Sequence, residues 1–186
     1  MKLLSYADHP DPVTAVACLV GVVLGLNGPI YPLYLIALVG RTQGYLAFLT
    51  MLAYPIVLAV PLLARREPVG ARVTLWLTGT LNTVWCMKLL GPSGGVAAFL
   101  LPCIGLAALL PSRWMRLAGA GLPPLLLLIP ARWFGVPLMS VTAVQNANLI
   151  MLNEVSAACL IGLLAVRLGP LLQDAPASPD GRHLAP

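Results

Sequence analysis

Charge is the scarcest commodity in this sequence. Charged residues make up 9% of the chain against 59% hydrophobic ones, and the mean hydropathy is +0.90. Soluble domains carry about a quarter charged residues, so a globule of this composition could not cover its surface in water. Histidine is rarer still. His9 and His183 are the only two, and both lie in polar ends. Of the acidic residues, Asp8, Asp11, Asp174 and Asp180 sit in the tails and Glu67 in a connection, which leaves Glu154 alone inside an apolar segment. A pair of embedded carboxylates for acid–base or metal chemistry therefore cannot be assembled from one chain. Cys18, Cys86, Cys103 and Cys159 are widely separated, each within an apolar segment, and form no C-x-x-C, so they are expected as small buried hydrophobes. No phosphate-binding loop, zinc-protease helix or nucleophile elbow is present. Enzyme chemistry is accordingly disfavoured, and no metal or cofactor is implied.

The sequence is instead rich in long apolar runs, several near the 20 or so residues that cross about 30 Å of hydrocarbon. Charge, glycine and proline divide it into six: 13–39, 43–64, 73–90, 96–110, 117–129 and 141–166. Open strands would strand their amides in lipid, so helix is the expected conformation. This predicts an all-α polytopic bundle of six transmembrane helices, with a polar tail at 1–12, a membrane domain at 13–169 and a disordered Pro-rich tail at 170–186. No secretory signal is expected, because Asp8 to Pro12 interrupt the first apolar residues. The first segment is too long for one straight span, and Asn27-Gly28-Pro29 with Pro32 predicts a break in its second half. Gly21 and Gly25 form a G-x-x-x-G that is expected to pack within the bundle, although a homo-oligomer seam stays open.

Basic residues alternate between connections. Lys2, Arg65, Arg66, Arg72, Arg113, Arg116, Arg167 and Arg182 fall on one side, whereas Arg41, Lys88 and Arg132 fall on the other. By the positive-inside rule both termini are expected in the cytoplasm of a cell whose inner membrane holds the chain. Because the net charge of +5 is spread between apolar segments, its expected partner is the lipid bilayer and not nucleic acid.

The last segment is apolar apart from Gln145, Asn146, Asn148, Asn153, Glu154 and Ser156. Asn146 and Asn153 are two helical turns apart and share a face, with Glu154 beside them. Polar groups in hydrocarbon seek the bundle interior, and the third segment offers Thr78, Asn82, Trp85 and Lys88 on a stripe of its own. The candidate ligand-binding set is thus Asn82, Lys88, Asn146, Asn153 and Glu154, with helices three and six as neighbours and Lys88 within reach of Glu154. The same residues equally compose a purely structural polar seam.

Residues 72–76 (Arg-Val-Thr-Leu-Trp), Thr80-Leu81-Asn82-Thr83, Leu90-Gly91 with Gly94-Gly95, and Phe99-Leu100-Leu101-Pro102 are arranged in a familiar order. With Leu149 to Leu164 centred on Asn153, they resemble the six-helix membrane sensor region that precedes the catalytic domain of bacterial class III adenylate cyclases, diguanylate cyclases and histidine kinases. The resemblance covers roughly half of the chain. It implies a sensing or anchoring role, and no cyclase or kinase activity, because only Leu171 to Pro186 follow the last span. The leading expectation is a sensor or regulatory bundle that binds a small lipophilic ligand or a partner membrane protein. A small transporter or permease component, and an accessory subunit of a larger complex, are the alternatives.

Overall fold

The computed structural model describes residues 2–129 and 131–173, and among these it is helical with no strand. Its helices are α1 (Lys2–Ala7), α2 (Pro12–Asn27), α3 (Ile30–Val39), α4 (Arg41–Gly44), α5 (Tyr54–Ala64), α6 (Pro68–Leu90), α7 (Leu100–Leu106), α8 (Arg113–Leu127), α9 (Ala131–Phe134) and α10 (Ala143–Gln173). Three stretches are long and apolar enough to cross a membrane: Pro12–Val39, Tyr45–Ala64 and Ala143–Leu171. The 23 residues of α6 reach about 34 Å, but Arg72 and Lys88 dilute their apolar character. The helical stretch Val96–Leu109 reaches only about 21 Å, and the 15 residues of α8 about 22 Å. Both fall short of a full hydrocarbon core.

Local chemistry sets most boundaries. Asp11 caps α2, its carboxylate accepting from Val13 N, Thr14 N and Thr14 Oγ1, and Pro12 occupies the first turn, where no N–H is needed. Burial pushes the Asp11 carboxyl up, but those hydrogen bonds and nearby Arg72 outweigh it and hold it below the ordinary value. The cap is therefore intact at neutral pH and is lost only as pH falls through that lowered value. Pro68 opens α6 and Ser112 caps α8. Pro55 cannot donate to the carbonyl of Met51, and the chain goes from a 3₁₀ stretch over Tyr45–Met51 through a turn before α5 begins.

As expected, the first span is broken. α2 stops at Asn27 and α3 resumes at Ile30, with Gly28 and Pro29 between them. Other boundaries differ from the sequence reading. The N-terminal residues expected as a tail include α1, whose Ala7 is buried in the core. α10 continues past Pro170 to Gln173, because Leu168 and Leu171 still find apolar partners. Residues 174–186 of the expected tail, with Arg182 and His183, lie outside the described residues.

Two apolar clusters stack along the bundle. One joins α1, α2, the end of α5, the start of α6 and the end of α10, through residues such as Ala17, Val60, Leu75 and Leu164. The other joins α3, the end of α6, Val96, Leu100, Met139 and Leu149. At the first end Arg65 lies over the Tyr6 ring, 5.8 Å from its centroid, and Arg72 pairs with Asp11 at 3.8 Å, so the N-terminal helix and the α5–α6 connection share one face.

The tightest helix pair is α2 on α5, and glycine permits it. A Cβ on Gly21 would lie 2.7 Å from the Val57 carbonyl oxygen, and one on Gly25 would lie 2.3 Å from Leu58. The G-x-x-x-G thus packs inside the bundle. We predict that Gly21→Ala destabilises the protein by about 1–3 kcal/mol, since backbone must move to admit the methyl group. Gly162→Ala on α10, where a Cβ meets nothing within 4 Å, is neutral or stabilising. Thermal melting of the detergent-solubilised variants checks both, and equal losses would contradict the packing.

Candidate functional site

The polar residues of α10 are placed by a local device at its start. Thr142 N donates to Gln145 Oε1 at 2.8 Å and Gln145 N donates to Thr142 Oγ1 at 3.3 Å, a reciprocal capping box. The motif Thr142-x-x-Gln145 was open to sequence reading, but Gln145 read as one more polar residue of the span. From there a buried stripe runs through Leu149, Asn153, Ala157, Leu160 and Leu164, at helical spacing.

Asn146 and Asn153 do share a face, as expected, but their partners are backbone groups. Asn146 Nδ2 donates to Ser93 O at 3.2 Å, and the fully buried Asn153 donates from Nδ2 to Gly94 O at 2.8 Å. The acceptors belong to a glycine turn after α6, with Gly91 at φ +85° and Gly95 at φ +75°. A Cβ on Gly95 would lie 2.7 Å from Ile150 Cα, so only glycine lets α10 lie directly on this turn. The expected pairing of helices three and six is corrected accordingly: α10 packs on α7, the Val96–Phe99 turn, the Pro92–Gly94 turn and α2 more than on α6.

Lys88 and Glu154 do not meet. The Lys88 ammonium donates to Phe134 O at 2.6 Å and to Val136 O at 2.9 Å, across a turn in which Gly135 has φ +64°. Glu154 is exposed on the outer side of α10. One residue is about 100° of helix, so the carboxylate that follows the fully buried Asn153 is turned off the buried face. Other span residues also cap carbonyls: Gln145 Nε2 reaches Leu38 O at 2.8 Å, at the end of α3, and Trp85 Nε1 reaches Leu49 O at 2.9 Å.

Asn82 has a different setting. It lines a cavity of about 100 Å³ between the two apolar clusters, at the level of the α2–α3 break. Asn27, Tyr31, Thr78 and Ser156 contribute further polar groups, and no charged residue lines it. Among the described residues the amides of Asn27 and Asn82 have no hydrogen-bond partner. The Tyr31 phenol is directed at Asn153, yet neither it nor Asn153 Oδ1 completes a hydrogen bond. Buried polar atoms are normally satisfied, so the Tyr31 phenol and Asn153 Oδ1 mark this cavity, and the half-buried Asn82 and exposed Asn27 add amides to its lining. Of the five expected site residues, then, Asn82 lines the cavity and Asn153 adjoins it through Tyr31. Lys88 and Asn146 secure turns, and Glu154 lies outside. Sequence reading missed Tyr31, whose place beyond the broken helix was its only signal.

No protein-family model matches the chain, and neither does any curated protein or solved structure.

Replacing the seam residues one at a time separates these roles. Asn153→Leu is expected to cost about 1 kcal/mol, Asn146→Leu less, and Glu154→Gln nothing measurable, since interhelical polar contacts in membranes average about 0.6 kcal/mol. Melting curves give the order, and a large loss at Glu154 would contradict it.

Proposed function

We propose that this chain is a multi-pass protein of a bacterial inner membrane, of the sensor or regulatory type. Six spans with cytoplasmic termini, and a central cavity that receives the uncharged hydrogen-bonding group of a small lipophilic ligand, complete the reading. The observation that carries it is the cavity itself: the buried Tyr31 phenol has no hydrogen-bond partner among the described residues, and Asn27, Thr78 and Asn82 line the same space with further amide and hydroxyl groups. Hydrogen-bonding groups in hydrocarbon are costly unless something satisfies them, and a ligand is the natural partner for those that face open space. The resemblance of residues 72–102 and 149–164 to membrane sensor regions points the same way. Two short spans, Val96–Leu109 and α8, call for a locally thinned bilayer under this topology.

A transporter is the second reading, favoured by the interruption at Gly28-Pro29, since broken helices line the substrate sites of many carriers. Flux into proteoliposomes separates it from a receptor, which binds without net movement.

Reporter fusions at the two ends are expected to give the same, cytoplasmic, signal. An outward-facing C-terminus would remove the six-span topology.

Butan-1-ol and butyramide carry a hydroxyl and an amide on chains short enough for the cavity. Near a hundred times its Kd, either one is expected to stabilise the wild-type protein by about 2.7 kcal/mol, read as a rise in melting temperature. Asn82→Leu combined with Thr78→Val abolishes that rise while the ligand-free protein melts as before. A rise that persists in the double variant, or none in the wild type, would defeat the assignment.

A further inference from the structure

Beside the cavity, next to the break in the first span, lies a second hollow of about 480 Å³. Val23, Leu26 and Ile30 from either side of the break form one wall, and Val155, Cys159 and Leu163 of α10 form the other. Val23, Leu26, Ile30 and Val155 are exposed by 41%, 53%, 61% and 58%, so the groove opens on the apolar outer surface that a bilayer would cover. Leu24, Asn27, Phe99, Ser156 and Leu160 line both hollows. The junction between them thus carries two polar side chains, Asn27 and Ser156, with an apolar groove on one side and the Tyr31–Asn82 cavity on the other.

Size and charge define what fits. At about 100 Å³ the cavity is smaller than the roughly 150 Å³ of an engineered benzene site, and far below the roughly 300 Å³ at which ligand pockets begin. It has room for a head group and a few carbons but not for a long hydrocarbon chain. The groove lies within the ligand range and offers only hydrocarbon contacts beyond its polar junction. Neither hollow is lined by a charged residue, so an ionised head would be stripped of water with no counter-charge.

Taking the cavity as a ligand site, as proposed above, we infer that its occupant is a neutral single-chain amphiphile that arrives sideways from the bilayer. Its hydroxyl or amide head passes Asn27 and Ser156 to reach Tyr31 and Asn82. Its hydrocarbon chain remains in the groove between Leu26, Ile30 and Val155. The doorway then lies beside the Gly28-Pro29 interruption, where Leu26, Asn27 and Ile30 line the groove.

The test uses 1-dodecanol with a diazirine at the chain end, photolysed with the full chain in phosphatidylcholine nanodiscs and mapped by mass spectrometry. Butan-1-ol, too short to need the groove, is measured alongside by its melting shift. Adducts are expected to concentrate on Leu26, Ile30 and Val155. Cys159→Trp and Val155→Trp, both on the exposed wall, each reduce them about tenfold, while the butan-1-ol shift is retained in the two variants. Adducts spread evenly over lipid-facing helices, or labelling that neither tryptophan reduces, overturn lateral access and leave the cavity assignment standing if butan-1-ol still stabilises. If butan-1-ol fails to stabilise the wild type as well, the cavity assignment falls with it.

Discussion

Hydrocarbon cannot hydrogen-bond a peptide group, and the arrangement of this protein turns on that constraint. The chain interrupts its helices repeatedly, and each interruption frees carbonyls that no solvent in a bilayer would satisfy. Polar side chains on other elements meet them. Gln145 takes the carbonyl of Leu38 at the end of α3, Trp85 that of Leu49, Asn146 and Asn153 those of Ser93 and Gly94, and Lys88 those of Phe134 and Val136. Few polar groups are spent this way, and they fix which helix lies beside which turn.

Against that background the cavity stands out by contrast. Asn27 and Asn82 are amides of the same kind as Asn146 and Asn153, yet among the described residues they cap no carbonyl. They face open space at the level where the first span breaks and where the two apolar clusters meet. Asn146 and Asn153 close on the backbone through their Nδ2 groups, whereas both ends of the Asn27 and Asn82 amides remain available. That difference, and not the mere presence of polar residues in apolar helices, distinguishes a candidate site from a seam.

Glycine takes two roles in the same design. Gly21 and Gly25 let α2 approach α5 until backbone meets side chain, which holds the first half of the broken span rigidly against the bundle. Gly91 and Gly95 adopt left-handed conformations and turn the chain beneath α10. One pair fixes the wall behind the cavity and the other builds the turn on which Asn153 rests.

Much of this was legible in the residues. Apolar runs and missing charge dictated a helical chain with stretches long enough to cross a bilayer, because only helix satisfies a backbone in hydrocarbon. Asn27-Gly28-Pro29 marked the break, since proline removes a donor wherever it stands. The shared face of Asn146 and Asn153 followed from 3.6-residue periodicity alone. Their partners did not follow, because a carbonyl oxygen belongs to every residue and leaves no trace in a sequence. Reading therefore paired side chain with side chain, Lys88 with Glu154, where the fold paired side chains with backbone. The phase of α10 turned Glu154 outward, and the stacking of two apolar clusters created the hollow at Asn82 and Tyr31. Both depend on how separate helices pack, and periodicity within one helix contains no information about the distance to the next.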